Sequence, residues 1–444
     1  MTESRHYTFP RIREEKLPNG LTVLLVEDHQ QEGVTFGLQM PVGEFCDTPG
    51  CEGTAEVAIG MIMKGPRSLT PEEFSERLEH VGAALFSEVG DEHCIIGCKL
   101  LARYAGSVLP VFWEMIRDPG FRPKELARLK REMTTGLQAE NADPMSIANR
   151  HFTALLCGNV HPAGRVQTIR SVKRIGLPHI TSFYESFISP DQGVFIMAGD
   201  FDPDAMIADI RSLCSPWTTK RKTPPVIGGP LTRLSSTTIR LVDKPDLSQV
   251  SLILGHPVAG ELDLRRNELA LANYVIGGGN FSSRLMAHLR SKEGKTYGIS
   301  SQISCNRNFG VFTIATNTQN SQAAGMLASI MAVYREAADR GITGDELTKA
   351  KQFAVGNMAF QLEGIVNMAD KLLWLRQYSR DISYIENFNE MVASIALESV
   401  NGAIRDSLSS RHFAIVAVGK KEEVGGALSA YGPVHTVNFR DDPC

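Results

Sequence analysis

The chain has 444 residues, 43% hydrophobic and 22% charged, a globular balance with enough apolar material for a sizeable core and room for two large domains. Lys+Arg 46 against Asp+Glu 50 leaves a formal net charge of −4, which argues against a general nucleic-acid binder, because such a protein needs surplus cations to displace counterions from phosphates. No apolar run approaches the ~18 residues of a membrane span. The N-terminal MTESRHYTFPRIREEK has no apolar stretch after its charges, so a cytoplasmic location is expected, or a periplasmic one if a signal segment was removed.

Residues 21–28 (LTVLLVED) are rich in branched side chains and follow Asn19-Gly20, a tight turn between strands. Residues 34–40 (VTFGLQM) read as a second strand. Cys46 and Cys51 then flank an Asp-Thr-Pro-Gly turn, and Cys94 and Cys98 share one face of a later strand. Four thiolates could hold zinc, but these spacings are not the short knuckles of a zinc ribbon, so inert core or turn cysteines are expected. The eight cysteines are sparse and mostly in apolar surroundings, which fits reduced thiols better than a disulfide framework.

Thr70-Pro71-Glu72-Glu73 is a helix start, with Thr70 as N-cap, Pro71 in the first turn and Glu73 closing a capping box; Phe74, Leu78 and Val81 form its apolar stripe. Residues 125–141 continue a helical pattern until Asp143-Pro144 stops it. Residues 215–230 (SPWTTKRKTPPVIGGP) carry four prolines, two glycines and a basic cluster, the composition of a linker. Further on, 299–304 and 309–316 flank Asn306-Arg307-Asn308 as a hairpin.

The two sides of the linker resemble each other. Residues 25–42 (LVEDHQQEGVTFGLQMPV) answer residues 241–258 (LVDKPDLSQVSLILGHPV) at an offset of 216. Ile175, Leu177 and Ile180, then GVFIMAG ending at Gly199, answer Ile395, Leu397 and Val400, then FAIVAVG ending at Gly419, at an offset of 220. A repeat this long is a domain rather than a solenoid unit. The expected fold is α+β: two homologous domains, 1–218 and 231–444, joined by a linker at 219–230, each a mostly antiparallel sheet packed with helices.

Several motifs drop out. There is no G-x-S-x-G nucleophile elbow. Gly294-Lys295-Thr296 fails as a phosphate loop, because Leu289 stands where its first glycine belongs. Gly277-Gly278-Gly279 lacks dinucleotide-fingerprint spacing and reads as a flexible helix entry.

The informative segment is Gly53-Thr54-Ala55-Glu56-Val57-Ala58-Ile59-Gly60-Met61-Ile62-Met63-Lys64-Gly65. Together with LPNGLTVLLVED, His161-Pro162-x-Gly164-Arg165 and GDFDP at 199–203, it resembles the pitrilysin/insulinase (inverzincin) family of metallopeptidases over essentially the whole chain. The resemblance implies a metallopeptidase-like α/β roll, doubled into a clamshell around a chamber. In active members this segment reads G-x-A-H-x-x-E-H-x-x-x-K-G: the histidines bind zinc, and the glutamate between them is the general base. Here Glu56 stands at the first histidine, Ile59 at the base and Gly60 at the second histidine. Gly136 stands at the third ligand, a glutamate in active members. A rewired site of Glu56, His93 and Cys94 is a minor alternative. Leu289-Arg290-Ser291-Lys292 with Tyr297 matches the family's L-R-x-K-x-x-x-x-Y. That pair would donate to substrate carbonyls and to the oxyanion of peptide hydrolysis at a zinc site. Without the resemblance, Arg290 reads as a helix-ending cation and Tyr297 as a ring packed in the sheet.

The resemblance therefore implies the zinc-free subunit of a heterodimeric zinc endopeptidase, akin to zinc-free relatives in processing peptidases and bacterial two-subunit proteases. It would hold no metal of its own. Its expected partners are a zinc-bearing homologous subunit with H-x-x-E-H and unfolded peptide substrates. The alternative is a proteolytically inactive peptide-binding or scaffold protein, homodimeric or within a larger complex.

Overall fold

The computed structural model describes residues 10–409 and 411–443; the first nine residues of the N-terminal stretch weighed above, and Cys444, lie outside the described residues. In chain order the first elements are β1 (Ile12–Lys16), β2 (Thr22–Glu27), β3 (Gly33–Met40), α1 (Thr54–Ile62), α2 (Pro71–Glu79), β4 (Ala84–Val89), β5 (Cys94–Leu101), α3 (Ala105–Arg117), α4 (Pro123–Glu140) and α5 (Pro144–Cys157). Next come α6 (Ile169–Arg174), α7 (Leu177–Phe187), β6 (Val194–Gly199), α8 (Pro203–Cys214), β7 (Thr238–Asp243), β8 (Gln249–Val258), α9 (Arg266–Asn273), β9 (Ile299–Cys305) and β10 (Gly310–Gln319). The chain closes with α10 (Ala323–Arg340), α11 (Gly344–Gln361), α12 (Gly364–Gln377), α13 (Ser383–Glu386), α14 (Phe388–Ser394), α15 (Leu397–Ser407), β11 (Ala414–Gly419), α16 (Lys421–Ser429) and β12 (Val434–Asn438).

Local chemistry sets several of these boundaries. Gly20 takes φ +96° and turns β1 back onto β2. The Thr70 hydroxyl accepts from the Glu73 N–H at 3.1 Å, and the Glu73 carboxylate accepts from the Thr70 N–H at 2.8 Å, which is the expected capping box of α2. Asp143, where α4 was expected to stop, also starts α5: its carboxylate accepts from the Ser146 N–H at 2.7 Å.

Two compact units result, each built on a six-stranded mixed sheet. The orders are β1-β2-β6-β3-β5-β4 and β12-β7-β11-β8-β10-β9. The sequence repeat becomes a repeat of register. Glu27 pairs with Gly199 in the parallel β2–β6 ladder, and Asp243 pairs with Gly419 in the parallel β7–β11 ladder. The antiparallel ladders β3–β6, β3–β5 and β4–β5 have counterparts in β8–β11, β8–β10 and β9–β10. One edge differs: β1 runs antiparallel to β2, whereas β12 runs parallel to β7.

The units are not the contiguous halves read from the sequence. One comprises residues 10–135, 167–227 and 358–388, and the other 136–166, 228–357 and 389–443. The reason lies in the strands, which are apolar on both faces. Val23, Leu25, Phe36 and Leu38 pack with α1, α3, α7 and α8, while Leu24, Val26, Ile196 and Ala198 face the other way. That second face is covered by Ala369, Leu372, Leu373 and Leu375 of α12, from late in the chain. In the other unit, Ile147, Ala148, Phe152 and Leu156 of α5 cover Val242, Ile253, Val416 and Val418. A strand buried on both faces reads as a continuous apolar run and needs two covering layers. Residues 219–230 have neither helix nor strand, as a linker should, but they are fastened: Lys222 and Thr223 donate their N–H groups to the Ser186 carbonyl at 3.2 and 3.1 Å.

Candidate functional site

Helix α1, which carries the degenerate motif, is built as a core element. Its start requires Gly53 at φ +98°, and a Cβ there would fall 2.4 Å from Gln167 Nε2. The buried Asp47 carboxylate accepts from the Gly53 and Ala55 N–H groups, both at 2.7 Å, and so satisfies the helix N-terminus. Sequence reasoning missed Asp47, although a carboxylate just upstream of a glycine-led helix was the available signal.

Glu56 is exposed and accepts from Gln167 Nε2 at 3.0 Å. Ile59, 1% exposed, lies in the core of its unit. A Cβ on Gly60 would make ordinary contact with Leu129 of α4 at 3.4 Å. Gly136 lies on α4 with nothing within 4 Å of where its Cβ would be. One carboxylate, one branched alkyl chain and two hydrogens are not a donor set for zinc, so these four positions do not fit the metal that the resemblance places there.

The other thiol and imidazole candidates go elsewhere. Cys94 and Cys98 are buried on β5, and burial pushes both thiols up to about 12, the wrong direction for a thiolate ligand. The Cys46 thiol is raised for the same reason and accepts from the Val226 N–H at 3.4 Å, while Cys51 Sγ lies 3.7 Å from His179 Nε2. Burial lowers His93. Among the described residues no three His, Cys, Asp or Glu side chains form a metal-holding group, and none of the seven described cysteines is in a disulfide. Near α1 the charge is negative. Glu44 is pushed up to about 7 by desolvation and by the neighbouring Asp91, Asp47 and Glu56.

Arg290 and Tyr297 have a different setting. Two segments of wide, π-type turn, Tyr274–Gly278 and Met286–Lys292, replace the ordinary helix and flexible entry expected here. The Gly279 N–H reaches the Tyr274 carbonyl at 2.8 Å, and the Glu293 N–H reaches that of His288 at 3.1 Å, each five residues back. The glycines are tightly packed: a Cβ on Gly277 would fall 2.5 Å from Ser301 Oγ, and one on Gly279 would fall 2.7 Å from the Tyr274 carbonyl.

The Arg290 turn is clamped at both ends. Arg284 makes two bonds to the Glu346 carboxylate, at 2.7 and 2.6 Å, and one to the Gly341 carbonyl at 3.0 Å. Beyond the turn, Glu293 pairs with Lys295 at 2.8 Å and accepts from Ser329 Oγ at 2.7 Å. Gly294, at φ +64°, ends the turn.

The segment bearing Tyr297 is held by hydroxyls. Thr318 donates to the Lys295 carbonyl at 2.7 Å, Thr296 to the Asn317 carbonyl at 2.7 Å, and Thr316 to the Gly298 carbonyl at 2.9 Å. With its neighbours pinned, Tyr297 stands 90% exposed, so the ring is not packed in the sheet. The Arg290 guanidinium lies over the Phe281 ring, 4.6 Å from its centroid.

A family profile described as insulinase (peptidase family M16) matches residues 22–161, and one described as peptidase M16 inactive domain matches residues 174–353. An uncharacterized zinc protease of Streptomyces coelicolor is 24% identical over 90% of this chain and 88% of its own. The non-peptidase homolog YmxG of Helicobacter pylori is 21% identical over 84% of this chain and 86% of its own. The crystal structure of a peptidase M16 inactive domain from Pseudomonas fluorescens superposes with a TM-score of 0.85 at 22% identity, covering 92% of this chain and 98% of that one.

Proposed function

Because the chain belongs to the peptidase M16 (insulinase) family, and residues 174–353 are of that family's inactive-domain type, we propose that it is the non-catalytic subunit of a two-chain zinc endopeptidase. The partner is a homologous chain with an intact H-x-x-E-H, whose zinc supplies the hydrolytic chemistry. This chain contributes Arg290 and Tyr297, which donate to the scissile carbonyl and to the oxyanion that develops from it. The substrate is an unfolded peptide, bound as an added strand; β4, paired on one side only among the described residues, offers such an edge.

The observation that carries the proposal is the contrast between the two loci. The metal positions hold a single carboxylate with no second ligand beside it, while Tyr297 stands exposed on a segment pinned by hydroxyl bonds and Arg290 lies on a turn clamped at both ends. The test is cleavage of an unstructured peptide by the complex reconstituted with the zinc-bearing chain, with neither chain active alone. Tyr297→Phe should lower turnover by ~10²–10³, the usual worth of one oxyanion donor, and Arg290→Ala by at least as much. Zinc content, complex formation and melting temperature should not change. Full activity in both well-folded variants would move the reading to a proteolytically inactive peptide-binding or scaffold protein.

A further inference from the structure

We infer that Phe281 is a positioning residue for this site, an aromatic platform that sets the plane of the Arg290 guanidinium and leaves its N–H edge free; the inference rests on the role proposed above for Arg290. Phe281 is 66% exposed, so core burial does not account for it. Its place is dictated by the backbone. Asn280 takes the left-handed conformation at φ +48°, the Ser282 hydroxyl donates to the Gly279 carbonyl at 2.7 Å, and the buried Ser283 hydroxyl donates to the Asn280 carbonyl at 2.8 Å. This short turn holds the ring against a helical turn that is itself clamped at both ends.

What the ring does follows from how an arginine can be held. Arg284, on the same helical segment, spends its donors on Glu346 and the Gly341 carbonyl and is a structural cation. Among the described residues no carboxylate lies within ion-pair distance of Arg290; its guanidinium carbon lies instead over the Phe281 ring, 4.6 Å from the centroid. A salt bridge consumes the in-plane N–H groups, whereas stacking uses only the face of the guanidinium. An arginine that must meet a carbonyl, and then a developing oxyanion, needs the second arrangement, because donors already in place need no reorganisation during the reaction.

The experiment uses the full-length chain in the reconstituted complex, with the unstructured peptide as substrate. Phe281→Leu keeps apolar bulk and removes the ring face, and Phe281→Trp offers a stronger one. Phe281→Leu should lower kcat by about two- to five-fold, the worth of an exposed cation–π contact, with KM little changed; Phe281→Trp should retain wild-type turnover. In the Arg290→Ala background, Phe281→Leu should add nothing. A second readout needs no partner: in the arginine-labelled chain the Arg290 Nε–H resonance should carry a ring-current shift that disappears in Phe281→Leu. If Arg290→Ala abolishes turnover while Phe281→Leu leaves it intact, the platform role falls and the proposed function stands. If neither substitution changes turnover, the proposed function fails and the platform role with it, even where the resonance shift is present. Absence of that shift in the wild type overturns the stack itself.

Discussion

His256, on β8, is 2% exposed, and its ring makes two hydrogen bonds, one from Nδ1–H to the Pro257 carbonyl at 3.1 Å and one from the Tyr334 hydroxyl to Nε2 at 2.7 Å. Both ring nitrogens are satisfied in the neutral form, and burial lowers the pKa to about 4. His151 on α5, buried beside Arg240, is likewise lowered to about 4 by burial and by the cations Arg240 and Arg150. In the unfolded chain a histidine takes its proton near 6.5. The stability these residues provide is therefore complete above pH ~6.5 and lost as pH falls through about 4, at roughly 1.4 kcal/mol per pH unit for each histidine. Glu44 acts in the opposite sense: raised to about 7, its penalty on the fold is full above that pH and is relieved as pH falls from 7 toward 4.5, and it is small because the side chain is exposed. The clean measurement is therefore the wild type minus His256→Gln. Thermal melts from pH 7 to pH 4 should show a shallower decline in the variant, and equal slopes would show that His256 is not held neutral by the fold. Without Tyr334's hydroxyl the His256 acceptor would be unpaired, so Tyr334→Phe should cost about 1–3 kcal/mol at pH 7.

Helices α5 and α12 show what an amphipathic stripe can and cannot reveal. The pattern of Leu372, Leu373 and Leu375 says that α12 buries a face, but not against which sheet. The answer is the outer face of the sheet containing β2 and β6, where these leucines meet Leu24, Val26, Ile196 and Ala198. Leu373→Ala removes a side chain from this layer and should cost about 2–5 kcal/mol, read by urea unfolding of the whole chain. A cost below 1 kcal/mol would mean that the layer is loosely packed. The Arg290 turn teaches a related lesson. Its buried Met286 and Leu289 suit an ordinary helix as well as the wider turn observed, and the difference comes from the packing of Gly277 on Ser301 and the clamps at Arg284 and Glu293.

The chain passes from one compact unit to the other five times, since each unit is assembled from three stretches of sequence. Cutting within 219–230, the obvious joint by composition, would leave residues 1–218 with α5 but without α12. The outer face of the first sheet would then be bare, and the apolar face of α5 would have lost its sheet. Neither fragment should fold cooperatively alone; both should bind a hydrophobic dye, and mixing them should restore a single cooperative transition. A sharp thermal transition from the isolated N-terminal fragment would overturn this.

Much of the protein was legible from short-range chemistry. The duplication could be read because equivalent strands, buried on both faces, need the same apolar run and, in β6 and β11, the same terminal glycine, so the 216 and 220 offsets reappear as equal register at Glu27/Gly199 and Asp243/Gly419. The Thr70 capping box could be read because it closes within four residues. That Glu56, Ile59, Gly60 and Gly136 offer one carboxylate between them is a matter of residue type alone, since ligation depends on which atoms a side chain carries. The rest depended on encounters between distant parts of the chain. Which helix covers which sheet face, the capping of α1 by Asp47, and the ring under Arg290 follow from apolar surface meeting apolar surface and from backbone donors finding acceptors. Those forces are set by proximity in the folded state, and nothing in the local pattern of residues names the partner.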